Sequence, residues 1–142
     1  MIRPATLGDA QAIRELFQEL IGHSLTAEDV VDRIVYVQNS PIDSLFVYER
    51  DNKILGLLAF RIRENIEEKN RFGEVSVIVV QSDARKKGIG RILMEYAEQV
   101  AREKGCIGTW LVSGFGREEQ AHQFYRELGY TITGYRFVKY FG

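Results

Sequence analysis

Between Glu74 and Ala101 the chain places a run of β-formers, a basic turn with two glycines and an apolar-striped helix in direct succession. The turn is Gln81-Ser82-Asp83-Ala84-Arg85-Lys86-Lys87-Gly88-Ile89-Gly90, and Arg91 follows it. A glycine-containing turn that feeds a helix start presents several unpaired backbone N–H groups in one direction, and the positive end of the helix dipole adds to them. Arg85, Lys86, Lys87 and Arg91 contribute charge of the same sign. The chemistry this favours is anion binding, phosphate above all. A Walker-type loop would need Gly, four residues, then Gly-Lys-Ser/Thr, which this stretch does not contain. A dinucleotide fingerprint would need a third glycine where Leu93 stands, and an acidic residue closing a second strand about twenty residues on. What remains is Arg85-x-x-Gly88-x-Gly90 directly after a hydrophobic strand, beside the plainer alternative of a surface turn with a solvated basic run.

The elements that position this turn are legible from periodicity. Glu74 to Val80 is dominated by Val and Ile and predicts a strand. Ile89, Ile92, Leu93, Tyr96, Ala97 and Val100 recur at the spacing of one helical face, and Gly105 ends that helix. Upstream, Met1–Arg3 predicts a short strand ended by Pro4. A helix capped by Thr6 or Asp9 then buries Ile13, Leu16, Phe17, Leu20 and Ile21. Gly22-His23-Ser24 breaks it. Thr26 caps a second helix, with Asp29 at the capping-box position and Val30, Val31, Ile34, Val35 and Val37 along it. Ser44–Glu49 and Ile54–Ile62 predict a hairpin turning at Asp51-Asn52. The charged tract Glu64–Arg71 predicts an exposed loop. Beyond the long helix come a strand over Ile107–Val112, a connection through Ser113-Gly114-Phe115-Gly116, and a helix over Glu118–Leu128. Two short strands follow, near Tyr130–Thr133 and Arg136–Phe141. The order predicts a mixed α/β (α+β) sheet domain with one parallel crossover.

The chain has 142 residues, a size expected of one domain spanning 1–142, and a net charge of −1, which argues against a general nucleic-acid binder. Cys106 is the single cysteine, so no internal disulfide exists, and a small core role in a reducing compartment is expected. With neither a signal peptide nor an apolar run near eighteen residues, a soluble, cytoplasmic protein with no membrane partner is expected. His23 and His122 lack a third ligand or a Cys/His spacing, so no metal site is expected.

The turn resembles the acyl-CoA pyrophosphate loop of the GNAT superfamily of N-acetyltransferases, Gln/Arg-x-x-Gly-x-Gly/Ala. The resemblance extends over essentially the whole chain. Phe124-Tyr125-x-x-Leu128-Gly129-Tyr130 is similar to the Phe-Tyr block of the family's last helix, and Ile2-Arg3-Pro4-Ala5-Thr6 with Asp9 to its usual start. Glu74 stands eleven residues before Arg85, where some histone-acetylating members place a general base. The resemblance implies a mixed central sheet of about six to seven strands flanked by four helices. It also implies direct acetyl transfer from acetyl-CoA to a primary amine in a ternary complex.

It further implies site residues. Arg85, Lys86, Lys87, Gly88, Ile89, Gly90 and Arg91 would hold the coenzyme pyrophosphate. Ile78, Val79 and Val80 would pair with the pantetheine arm by backbone, in a V between this strand and Ile107–Val112. Tyr125 would be the general acid at the departing sulfur, since a phenol is neutral at pH 7 and can donate to a thiolate. Glu74 would be the base, directly or through a water, on the same strand face as Ser76, Ile78 and Val80 by simple alternation. Ser113 and Glu119 are weaker candidates for coenzyme or amine contacts. Glu118 stands where many relatives carry a coenzyme-contacting Asn. Acidic Asp43, Glu64, Glu67 and Glu68 could attract a cationic amine, whose identity the residues leave open. The alternatives are a non-catalytic acyl-CoA-binding or sensory module, and a nucleotide-phosphate binder using the basic turn. The strand Phe137-Val138-Lys139-Tyr140-Phe141 could pair across a homodimer if it lies at an edge.

Overall fold

The protein's structure, a computed structural model, describes residues 1–22, 25–113 and 118–142. His23, Ser24, the 114–117 connection and the side chain of Glu118 lie outside the described residues. The strands are β1 Ile2–Pro4, β2 Asp43–Arg50, β3 Lys53–Glu64, β4 Arg71–Val80 and β5 Thr109–Leu111. The helices are α1 Ala10–Ile21, α2 Ala27–Gln38, α3 Ile89–Glu103 and α4 Glu118–Glu127. They form one sheet in the order β1-β2-β3-β4-β5, antiparallel up to β4 and parallel between β4 and β5.

Local chemistry sets the boundaries. The buried carboxylate of Asp9 accepts the backbone N–H of Thr6 at 2.8 Å and a two-pronged contact from Arg3 at 2.8 and 2.9 Å. The start of α1 is thereby tied to β1, and Arg3 reaches on to Glu49 of β2 at 3.1 Å. The Arg3 guanidinium holds the Asp9 carboxyl below the usual carboxylate range. Thr26 Oγ1 accepts the N–H of Asp29 and opens α2. Asp51 and Asn52 both adopt positive φ, 52° and 63°, the pair of left-handed residues that a two-residue hairpin turn requires.

Helices cover both sheet faces. Ile13 and Leu16 of α1 and Val30 and Ile34 of α2 pack on Leu45, Val47, Leu57 and Val79. Leu93, Met94, Ala97 and Ala101 of α3 pack on Tyr48, Leu58, Phe60 and Val75 of the other face. The expected stripes shift slightly. Leu20 and Ile21 at the end of α1 and Ile92 of α3 are exposed, whereas Met94 is fully buried.

Two differences from the expected sheet matter. First, the hairpin strands and β4 are longer than expected, because charged residues pair across them. Arg71 Nε lies 2.8 Å from Glu64 and Arg63 Nε 2.7 Å from Glu74, so the expected exposed loop shrinks to residues 65–70. Second, the sheet has five strands among the described residues, not six to seven. Residues 131–142 form no strand and are exposed throughout. A strand needs a partner edge to satisfy its backbone, and among the described residues this segment pairs with none. No helix among the described residues is long and apolar enough to cross a membrane.

Candidate functional site

The site begins where two strands part. β4 and β5 pair only at Gly73–Thr109, Glu74–Trp110 and Val75–Leu111, after which β4 runs on to Val80 while β5 stops. From Ser76 onward β4 has no strand on that side among the described residues. At the same point its register with β3 slips, from Ala59–Val77 to Phe60–Val75, and Ser76 is left unopposed. This is a β-bulge, which bends a strand and interrupts alternation.

The bulge corrects one expectation. Val75 packs in the α3-side core with Ile78 and Val80, while Val77 and Val79 pack on the α1/α2 side. A Cβ on Gly73 would meet Phe60 and Ala101, so Gly73 also faces α3. Glu74, between Gly73 and Val75, therefore faces the α1/α2 side, opposite Ile78 and Val80. Simple alternation fails because it allows no extra residue at Ser76.

The basic turn caps the parting strands. Gln81 N–H donates to Leu55 O at 2.8 Å and Arg85 Nε to Val80 O at 3.1 Å, folding the turn back on β4. Glu19 of α1 grips it from the side, accepting the Ser82 N–H at 3.2 Å and its hydroxyl at 3.1 Å, with Arg85 Nη2 at 4.0 Å. Lys86 and Gly88 adopt φ of 65° and 81°. No side chain caps α3 and no acidic residue stands in its first turn. Its leading N–H groups are thus aimed outward among cationic side chains, an arrangement suited to phosphate oxygens.

The two glycines serve different ends. A Cβ on Gly88 would touch nothing within 4 Å, so its requirement is the positive φ. A Cβ on Gly90 would lie 3.3 Å from Phe124 Cζ, so its bareness lets α4 lie against the start of α3. The side chain of Ile89 is buried in the core, leaving only its backbone to face a ligand, and Arg91 is paired with Glu95 at 3.0 Å.

Tyr125 is half-buried on α4, its ring 5.1 Å from that of Phe124 and 6.2 Å from that of Tyr130. The Tyr130 hydroxyl is within 2.6 Å of Thr109 Oγ1 on β5 and donates to Glu98 of α3 at 2.9 Å. Burial pushes the Tyr130 phenol up to about 12. The Phe-Tyr block is thus a packing unit that joins α4 to the turn at Gly90 and to β5 at Thr109. Ser113 is partly buried just past β5, His122 is partly buried on α4 and Glu119 is exposed there.

Glu74 Oε1 lies 2.7 Å from Arg63 Nε, in close ionic contact without an N–H directed at the oxygen. The Arg63 guanidinium in turn lies 5.7 Å from the Trp110 ring. Of the acidic residues expected to draw a cation, Asp43 is held by Arg61 at 2.9 and 3.2 Å and by Ser40 at 2.8 Å. Burial raises the Asp43 carboxyl, and these contacts outweigh it to leave the group below the usual carboxylate range. Glu64 is paired with Arg71, and Glu68 accepts from Asn70 at 2.9 Å. Burial pushes the Cys106 thiol up, away from the thiolate form. Sequence reasoning missed Glu19, Arg63 and Trp110. Glu19 carries no local signal because its partner lies 63 positions away, and Trp110 reads as strand core.

The Acetyltransferase (GNAT) family model matches residues 10–130. The aminoalkylphosphonate N-acetyltransferase of Salmonella typhimurium is 28% identical over 138 residues, 97% of this chain and 89% of that protein. A transcriptional regulator from Bacillus halodurans superposes with a TM-score of 0.90 at 21% identity, over 99% of each chain. The aminoglycoside N-acetyltransferase AAC(6')-Iy, solved in complex with CoA, superposes with a TM-score of 0.84 at 16% identity, over 100% of this chain and 93% of that one. At such identities the two structural likenesses are likenesses of fold.

Proposed function

This chain belongs to the acetyltransferase (GNAT) family, and on that premise we propose that it transfers the acetyl group of acetyl-CoA to a primary amine within a ternary complex. The observation that carries this reading is the opening between β4 and β5, which leads directly onto the uncapped start of α3. The bare N–H groups over Gly88, Ile89, Gly90 and Arg91, with Lys86 and Lys87 beside them, suit a pyrophosphate. The unpaired edge of Ile78, Val79 and Val80 suits the amide-bearing pantetheine arm, which would add to it as a strand does. Arg85 supports the turn from within through Val80 O and Glu19.

In this reading the amine enters on the α1/α2 side and loses a proton to Glu74, directly or through a water. Its nitrogen then attacks the thioester carbonyl carbon. The C–N bond forms, the C–S bond breaks, and the departing thiolate takes a proton from the Tyr125 hydroxyl on the α3/α4 side, with Ser113 at the mouth between them. The newly bonded nitrogen gives up its second proton to solvent, and solvent returns one to the phenolate. A backbone N–H of the β4 edge would polarise the carbonyl. Holding both reactants in register contributes on the order of 7–11 kcal/mol in favourable cases. Attack gives a tetrahedral intermediate whose collapse expels the thiolate, so base and acid each need to reach only their own atom, the nitrogen and the sulfur. Arg63, next to Glu74, makes an acceptor that carries an anionic group beside its amine a natural fit, consistent with the aminoalkylphosphonate named for the Salmonella relative.

The test is calorimetric titration with acetyl-CoA and with ATP, followed by turnover with an amine panel that includes aminoalkylphosphonates, diamines and amino acids. Micromolar acetyl-CoA binding that Gly88→Glu abolishes, silence with ATP, and turnover lost in Tyr125→Phe are expected. Equal binding of ATP, or no acetyl-CoA binding, refutes the coenzyme site. The contact of Arg63 with Glu74 also favours a second reading, a non-catalytic acyl-CoA sensor. That reading predicts binding without turnover on any amine.

A further inference from the structure

Tyr125 is held from the end of its own helix. α4 stops on Gly129, which adopts a left-handed φ of 94°. The Gly129 N–H donates to Arg126 O at 3.0 Å, and the Tyr130 N–H donates back to Tyr125 O at 3.0 Å. This paired closure of a helix on glycine sets the residue after the glycine against the third residue from the helix end. Here those residues are Tyr130 and Tyr125, and their rings meet edge-on with centroids 6.2 Å apart. Backbone and ring together therefore couple the placement of Tyr125 to that of Tyr130.

Tyr130 is in turn fixed at its far end. Its one hydroxyl proton is donated to Glu98 Oε2 on α3 at 2.9 Å, so Thr109 Oγ1 on β5, 2.6 Å away, acts as donor to the same oxygen. With the phenol pushed up to about 12 by burial, that proton stays in place at neutral pH. α3 begins at the basic turn and β5 forms one wall of the opening beside β4. At the other side of Tyr125, the Phe124 ring lies against Gly90. One such contact leaves a ten-residue helix free to pivot about it, and the Tyr130 hydroxyl supplies the second point that stops it.

We propose that Tyr130 is a positioning residue for acetyl transfer, its hydroxyl clamped by Glu98 and Thr109 so that α4 carries Tyr125 to the departing sulfur. The role rests on the acetyl-transfer reading with Tyr125 as the acid. Reacting groups must be held to within a fraction of an ångström, and a shift of about 1 Å can cost about a hundredfold in rate. Loss of one of two attachments is expected to cost about tenfold.

Steady-state kinetics on a double-variant cycle tests it. Tyr130→Phe keeps the ring and the backbone closure and removes only the hydroxyl. It is expected to lower kcat about tenfold while calorimetry gives the wild-type affinity for acetyl-CoA. Placed on Tyr125→Phe, the same change is expected to cost nothing further, because an acid that is absent cannot be misplaced. Glu98→Ala should reproduce the fall, and Glu98→Gln, whose amide oxygen still accepts the phenol proton, should restore most of the rate. Should Tyr130→Phe fold poorly, Thr109→Val takes its place in the cycle with the same expectations. A wild-type kcat in Tyr130→Phe overturns the proposal, as does a loss that adds in full to that of Tyr125→Phe, the result of a support with no bearing on the acid. A Tyr125→Phe protein as fast as wild type, or a wild type that acetylates no amine, overturns the transfer reading and this proposal with it.

Discussion

Replacing Gly88 by alanine isolates the backbone requirement of the turn. A Cβ there meets no atom within 4 Å, so the variant creates no clash and its whole cost is the left-handed conformation at φ 81°. For a non-glycine residue that cost is about 1–2 kcal/mol. The chain has two ways to respond. It can keep the turn and accept the strain, lowering stability by that amount, which for 142 residues corresponds to a fall in Tm of about 3–7 °C. Otherwise it can relax the turn and lose the aim of the α3 amides, which weakens acetyl-CoA binding by about five- to thirtyfold for the same energy. The two losses, expressed as free energies, should sum to about 1–2 kcal/mol. Differential scanning calorimetry and titration with acetyl-CoA on the same preparation measure both. Gly88→Asn, which tolerates the left-handed region, should recover much of the loss. A Gly88→Ala protein whose Tm and affinity both match wild type would refute the claim that positive φ is what this position supplies.

Gly90→Ala should act on α4 instead. Its Cβ would press on Phe124 Cζ at 3.3 Å and displace the helix that carries Tyr125. A fall in kcat of about three- to tenfold with acetyl-CoA affinity nearly unchanged is expected, and steady-state kinetics over both substrates would show it. Glu19→Ala removes the two contacts to Ser82 and the approach to Arg85. Because the group is partly exposed, about 1 kcal/mol is expected, shared between a modest fall in Tm and acetyl-CoA binding weakened by up to roughly fivefold in calorimetry. Asp9 governs acid stability. Its carboxyl is held below the ordinary value by Arg3, so the stabilisation is complete above that ordinary value and is lost as pH falls through the lowered one. Urea unfolding should show Asp9→Asn less stable than wild type at pH 7, with the gap closing as the solution is acidified below about pH 4.

Much of the site was legible because its signals are local. Arg85-x-x-Gly88-x-Gly90 after a Val-rich run states a strand, a turn and a helix start in adjacent residues, and the physics of bare N–H groups follows from that order alone. Phe124, Tyr125 and Tyr130 likewise lie within seven positions, and the structure brings them together as one packed unit. Glu74 was harder. Its face is set by Ser76, an unremarkable serine whose extra place in β4 becomes visible only against the register of β3. Glu64 and Arg71, at the ends of β3 and β4, read as loop because their pairing crosses between strands.

The sequence by itself pointed to the four helices, the strands up to β5 and their order, a basic turn suited to anions and the family, since each rests on spacing within a few residues. Tertiary structure alone decided where β4 and β5 separate and which side of the sheet Glu74 serves. It alone showed that Glu19 steadies the turn from a distant helix and that the last twelve residues have strand composition without a strand partner. These outcomes depend on which edges meet, and the free energy of an edge belongs to the pair of strands that share it.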